Sequence, residues 1–285
     1  MTGLTNYSAF NLLDWLTGQD PEPALPSVWL ALFTAVGTDA GTGFTEVSGG
    51  SYARVQVAGN LAAGGTWTTA TPNITMGVSN PGWVQPGMSV FDTTVGFFLG
   101  TVLSYSGTAL VLNANAAHAN SGGTDNLTFS AWPQASGTGP ASTLNAAAIT
   151  FPAATASWGT VVAFGLYDAV TAGNLLMWDY MGAFQWMPAT VSSASPGVIT
   201  AHAHGIANGG FFVFSTEFGG TAPTFSAGNF TGILTAAGVA TDTLDVTGVN
   251  TSATGNGMIR QVTEQSIPSG VTASFAANTI TLTAA

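Results

Sequence analysis

The chain has 285 residues, 46% of them hydrophobic and only 5% charged, and two arginines (Arg54 and Arg260), no lysine and 13 carboxylates give a formal net charge of −11. That balance excludes the basic surface that nucleic-acid binding requires, and without lysine there is no Schiff base, no lysine general base and no Walker-type phosphate cradle. Cysteine is absent as well, which removes disulfides and thiolate sites.

The first predicted element is a helix. Asn6 caps it, Phe10, Leu13 and Leu16 recur at helical spacing with Trp15 alongside, and Gly18 stops it. Its apolar arc is wide for so short a helix, so it is expected to dock on its own domain or on a neighbour. Beyond Pro21, Pro23 and Pro26, residues 28–33 read as a buried strand and 34–43 as a loop. A hairpin is expected next, with Glu46 and Val47 on one arm, a turn at Ser48-Gly49-Gly50 and residues 52–57 on the return. Arg54 then faces Glu46, and a cross-strand ion pair outweighs a partner-facing charge as its role.

From there 37 glycines punctuate short runs of β-branched and small residues, the pattern of an all-β sandwich or barrel. Residues 75–131 read as one self-contained unit of four short strands, with a helical crossover at 114–119. Residues 189–262 read as a second. The runs at 147–151, 158–168, 174–180 and 270–282 complete the strand set begun at residue 28. The expected organisation is a discontinuous, jelly-roll-like β-sandwich core (1–74, 132–188 and 263–285) carrying two inserted β-modules (75–131 and 189–262), since loops accept insertions at small entropic cost.

Several stretches carry a resemblance. Leu30-Ala31-Leu32-Phe33-Thr34, Asp39-Ala40-Gly41-Thr42-Gly43 and Thr45-Glu46-Val47-Ser48-Gly49-Gly50-Ser51-Tyr52-Ala53-Arg54 resemble a family of tailed-bacteriophage virion proteins. So do Ile149-Thr150-Phe151-Pro152 through Trp158-Gly159, Phe164-Gly165-Leu166-Tyr167-Asp168 and Gly173-Asn174-Leu175-Leu176, with residues 267–282 similar to the family's closing strands. The first insert resembles a small phage β-module through Gly87-Met88-Ser89-Val90 and Gly100-Thr101-Val102, and the second another through Ala203-His204-Gly205-Ile206-Ala207-Asn208-Gly209. The resemblance implies a virion surface component: a head decoration protein, a fibre or a minor tail protein. It brings no catalytic residues with it.

The candidate chemistry is sparse. His202 and His204 could share one strand face as metal ligands, but two imidazoles are half a site, and a structural bond from His204 to the turn that follows fits better. Asp242 with Asp245, and Asp168 with Asp179, are possible acid/base or calcium pairs, yet neither has the dense oxygen pattern of a calcium loop. Surface solubility is the plainer role for all four. Asp92 and Asp125 read as turn residues. The Ser-Gly pairs at Ser48, Ser106 and Ser121 lack the surroundings of a nucleophile elbow. No catalytic, cofactor or metal residues are therefore assigned.

The aromatics say more. Trp178, Tyr180, Phe184, Trp186 and Met187 form one cluster, and Phe211, Phe212, Phe214 and Phe218 another. The first is the candidate interface, weighed against an internal core and a sugar-stacking surface. A lysine-free β-protein must also cover its strand edges by its own loops, by barrel closure or by neighbouring subunits, so a homo-oligomer, for example a trimer, is expected. Gly, Thr, Ser and Asn interrupt every apolar run well short of 18 residues, which argues against a membrane span despite the positive mean hydropathy. Residues 1–10 lack the basic start and apolar core of a signal peptide, so synthesis in the host cytoplasm and assembly onto the particle are expected. Together these readings give a non-enzymatic virion protein, first as a capsid decoration (cement) protein on the major capsid protein or other virion subunits. The alternative is a tail fibre or minor tail protein that binds a host glycan receptor.

Overall fold

Helix α1 (Asn6–Leu16) opens the computed structural model, which describes residues 4–17, 27–64, 67–68, 73–114, 119–120, 124–133, 141–182 and 185–284. The cap is Thr5, one residue before the expected Asn6. Its buried hydroxyl accepts the Ser8 N–H at 3.5 Å and donates to the Leu175 carbonyl, so the same side chain starts the helix and fastens it down. The expected stop at Gly18 lies outside the described residues.

Strand β1 (Ser27–Ala35) has a fully buried centre from Leu30 to Phe33. Strands β2 (Thr45–Glu46) and β3 (Val55–Gly64) lie end to end along one edge of β1: β3 pairs with Ser27–Leu30 and β2 with Phe33 and Ala35. The expected hairpin between these two arms does not form. Strand β3 overlaps β1 only from Ser27 to Leu30 and carries on toward β10, which leaves the far half of that edge for β2 to satisfy. The turn between them, in which Tyr52 N–H donates to Gly49 O at 2.9 Å, carries the chain from one half of that edge to the other.

The chain continues through β4 (Trp67–Thr68), β5 (Asn73–Thr75), β6 (Ser89–Asp92), β7 (Phe97–Ser106), β8 (Ala109–Ala114), β9 (Ala119–Asn120) and β10 (Thr124–Ser130). Where a helical crossover was expected, Ala114 ends β8 and Ala119 begins β9, and 115–118 lie outside the described residues. Strands β11 (Ala141–Leu144), β12 (Ile149–Ala153), β13 (Gly159–Val161), β14 (Ala163–Tyr167) and β15 (Leu175–Tyr180) follow. Ten strands make one sheet in the order β15-β14-β1-β3-β10-β6-β7-β8-β5, with β2 beside β1. The strands of residues 75–131 share this sheet with β1, through seven paired residues of β10 on β3.

Next come β16 (Met187–Val191), β17 (Val198–Thr200), β18 (Phe211–Ser215), β19 (Phe225–Ala227), β20 (Leu234–Thr235), β21 (Thr243–Asp245), β22 (Asn250–Thr251) and β23 (Gly255–Val262). Six of these form a second sheet, β20-β18-β23-β16-β17-β21. Ala237 and Asp245 exchange two backbone hydrogen bonds of 2.8 Å, which joins the ends and closes a small barrel around Ile199, Phe212, Phe230, Leu244 and Ile259. Closure removes the open edges without any lysine to guard them.

The tail strands β24 (Gln265–Ile267), β25 (Thr272–Phe275) and β26 (Thr281–Ala284) run back against β13, β12 and β11. Their residues pack with one face of the ten-stranded sheet in a core that includes Leu30, Leu32, Val57, Phe129, Phe151, Trp158, Ile267 and Ile280. The fold is an all-β sandwich. Side chains of β1 alternate between two cores: Leu30 and Leu32 enter this one, while Ala31 and Phe33 enter another, shared with Val213 and Val262 of the barrel. A strand buried on both faces reads as a continuous apolar run, as residues 28–33 do.

Candidate functional site

Both arginines are engaged within the fold. Arg54 pairs with Glu46 as expected, Nε to Oε1 at 2.9 Å and Nη2 to Oε2 at 2.7 Å. Its Nη1 also donates to the carbonyls of Ala169 and Ala172, and its guanidinium lies 3.5 Å from the Tyr167 ring centre. Arg260 pairs with Asp179, Nη1 to Oδ1 at 2.6 Å and Nη2 to Oδ2 at 3.1 Å, which ties the barrel to β15.

The candidate pairs part company. Asp168 accepts both the backbone and side-chain N–H groups of Asn174 at 2.7 and 2.8 Å, while Asp179 holds Arg260. Asp242 accepts the Ala203 N–H at 2.7 Å and contacts His202 at 3.1 Å. The Ala203 amide, and after it the His202 charge, hold this carboxyl below the usual carboxylate range. Asp245 is a strand residue at the barrel seam. Asp92 caps its turn by accepting the N–H groups of Thr94 and Val95, whereas Asp125, expected in a turn, lies within β10 opposite Ala63.

The two histidines follow β17 rather than lying on it, and they diverge. His202 is exposed, and His204 is buried. Ile206 N–H donates to His204 Nδ1 at 3.1 Å, which fixes the proton on Nε2, facing Thr243 O at 3.4 Å. That is a structural bond of the kind the sequence suggested. Among the described residues no group of three potential metal ligands occurs.

Of the aromatic cluster, Trp178 and Tyr180 fill the core between the ten-stranded sheet and the barrel. Trp178 meets Phe44 and Tyr180 edge to face, each at 5.1 Å, and its Nε1 donates to Asp39 at 3.1 Å. Burial pushes the Tyr180 hydroxyl up to about 12, partly offset by the Arg260 charge. Trp186 and Met187 are half-buried. Phe184 lies outside the described residues. The Trp186 ring leads to the second cluster, 5.4 Å from Phe218.

Phe218 borders a groove of about 440 Å³ on the outer wall of the barrel, lined also by Pro188, Thr190, Thr200, Asn256 and Met258. Glycines shape its floor. A Cβ on Gly220 would stand 2.5 Å from Asn256 O, and one on Gly257 would stand 2.4 Å from Ser215 O, so neither strand nor turn could approach as closely with any other residue. In the sequence Phe218 and Trp186 fall in separate aromatic clusters, and the fold joins them. An aromatic residue ahead of Gly219-Gly220 was the available signal, since such a turn presents its ring at an apex.

A second surface is α1. Phe10 (64% exposed), Leu12 (41%), Leu13 (56%) and Leu16 (64%) form one stripe, while the half-buried side chains include the polar Ser8, Asn11 and Asp14, three residues apart. A surface helix normally does the reverse. Thr5 N–H to Leu176 O at 3.0 Å and Asn6 N–H to Asp39 O at 2.8 Å anchor it on the β15 edge. Among the described residues no helix is long and apolar enough to cross a membrane.

A family model described as podophage GP4 fiber I protein gp80 matches residues 3–100 and 112–187, more than half of the chain. The chain belongs to this family. It is thus a tailed-phage virion structural protein of the fibre type. The fibre-family match spans α1 and most of the ten-stranded sheet, skipping residues 101–111 in β7 and β8, and it ends at residue 187, where the barrel begins. No curated protein matches the chain.

Proposed function

We propose that this chain serves as a non-enzymatic tail-fibre component, held to another virion protein by the outward apolar stripe of α1. The reversed helix carries this reading: four large apolar side chains face solvent and have to be covered on assembly. The occupant is a protein surface with an apolar groove. A lipid surface is disfavoured because interfacial helices rely on Lys and Arg, and both arginines here are spent on internal ion pairs. The role is structural because Asp168, Asp179 and Asp242 each hold a neighbouring group in place, leaving no acid/base pair among them. A capsid decoration role would press the same stripe on the major capsid protein, and the fibre description of the family favours the tail.

The test replaces Leu12, Leu13 and Leu16 together with serine. Exposed positions cost little, so the isolated variant should melt within a few degrees of the parent. Its incorporation into particles should fall by more than about tenfold, as three lost leucine contacts imply. Normal incorporation would overturn the docking surface. Imaging of labelled chain should find few copies, confined to the tail, whereas hundreds over the head would replace the fibre reading with decoration.

A further inference from the structure

The outer wall of the barrel carries a row of uncharged polar groups that crosses three neighbouring strands in register. Thr200 on β17 lies opposite Thr190 on β16, and Thr190 lies opposite Asn256 on β23. All three are exposed, while Val191 and Ile199 beside the threonines and Ile259 further along β23 fill the barrel. Strands about 4.8 Å apart make this row about 10 Å long. Among the described residues neither threonine hydroxyl has a partner within the chain. Asn256 commits only its Oδ1, which accepts the Thr221 N–H at 2.7 Å, so its amide hydrogens remain to donate outward. Pro188 and Met258 form the next row along, and Phe218 stands at the side, 46% exposed and braced by Trp186. A bond from Gly220 N–H to Thr216 O at 3.0 Å closes the turn that presents it.

We infer that this groove binds an uncharged oligosaccharide, with Phe218 stacked on the apolar face of one sugar and Thr190, Thr200 and Asn256 exchanging hydrogen bonds with its hydroxyls. Sugars combine an apolar C–H face with groups that both donate and accept. Hydroxyls and an amide beside an aromatic ring match that chemistry, and the row is about as long as a disaccharide. A phosphate or carboxylate ligand would need cations or converging N–H groups, and the groove lining has no ionisable side chain. Glu217, next to Phe218, and the net charge of −11 repel acidic sugars further. Every lining residue lies beyond residue 187, so the groove belongs to this chain's barrel and is not carried over from the family match. The inference rests on the fibre reading only for the source of the sugar, a bacterial surface polysaccharide. A groove this open implies weak single-site binding, strengthened by several copies on a particle.

The experiment applies the purified full chain to two probe sets: uncharged oligosaccharides released from the surface polysaccharide of the bacterium that propagates the phage, and acidic ones bearing uronate or phosphate. The chain should retain uncharged probes at least about tenfold better than acidic ones. Phe218→Ala removes the stacking face. Asn256→Asp keeps the acceptor for Thr221 and exchanges the donating amide for a carboxylate. Each should lower retention by more than about tenfold with an unchanged melting temperature. Binding that survives both substitutions, a preference for acidic probes, or no retention of any uncharged probe would each overturn the inference. The assay uses the isolated chain, so such a failure leaves the particle-incorporation test of α1, and with it the fibre reading, standing.

Discussion

Tyr180 shows how single residues here report on the joint between sheet and barrel. Its hydroxyl is pushed up to about 12, chiefly because burial disfavours the phenolate. An unfolded tyrosine ionises near pH 10. Between these values the folded chain keeps a proton the unfolded chain has lost, so stability is fully present below pH 10 and falls as pH rises. The shift corresponds to roughly 2–3 kcal/mol. With no lysine and no cysteine, the five tyrosines dominate titration over that range, and burial also raises Tyr52, Tyr105 and Tyr167. Urea unfolding at pH 8, 10 and 12 should therefore show a progressive loss, and Tyr180→Phe should reduce its slope. An identical slope in the variant would place the alkaline loss at another tyrosine, such as Tyr52, which burial also raises. At this scale the sequence was partly legible. Glu46 and Arg54 could be paired because they sit eight residues apart around a Gly-rich turn. The carbonyls of Ala169 and Ala172 that complete the Arg54 shell lie more than a hundred residues away and leave no local trace.

Among elements, the barrel depends on a seam of one residue. Ala237 N–H donates to Asp245 O, and Asp245 N–H returns the bond to Ala237. Proline at position 237 deletes the first donor at a place where two short strands have few other contacts. The expected cost of Ala237→Pro is about 2–3 kcal/mol, with faster amide exchange at residues 243–246, measured by thermal melting and hydrogen exchange. Unchanged protection there would mean that the core alone holds the ring closed. The all-β class, the short helix and the buried run at residues 28–33 were legible because each follows a local period. The seam was not, since one bridging residue has no period. Nor was the pairing of β2 and β3 with the same strand, because a turn sequence says where the chain bends and not which edge each arm finds. The groove was hidden for a similar reason. Thr190, Thr200 and Asn256 become neighbours only through the register of three strands.

For the whole molecule, charge is the governing quantity. Both cations lie inside, on Glu46 and Asp179, so no arginine or lysine is left to offset the charge of the remaining carboxylates. The edge problem that such a composition poses is met within the chain at two places: Thr5 bonds to the carbonyls of β15, and the barrel closes on itself. What remains is self-repulsion, which salt screens once the Debye length falls below the spacing of surface charges. Raising NaCl from about 0.02 M to about 0.5 M shortens that length from roughly 20 Å to roughly 4 Å. The melting temperature should therefore rise by a few degrees, because the two partly buried ion pairs are screened far less than the exposed carboxylates. Retention of an uncharged sugar should not change over the same range, since no ionic contact contributes to it. A melting temperature that falls with salt would mean that attraction at Arg54 and Arg260 outweighs the repulsion of the surface. The exclusion of acidic sugars would then rest on Glu217 and the uncharged groove lining alone.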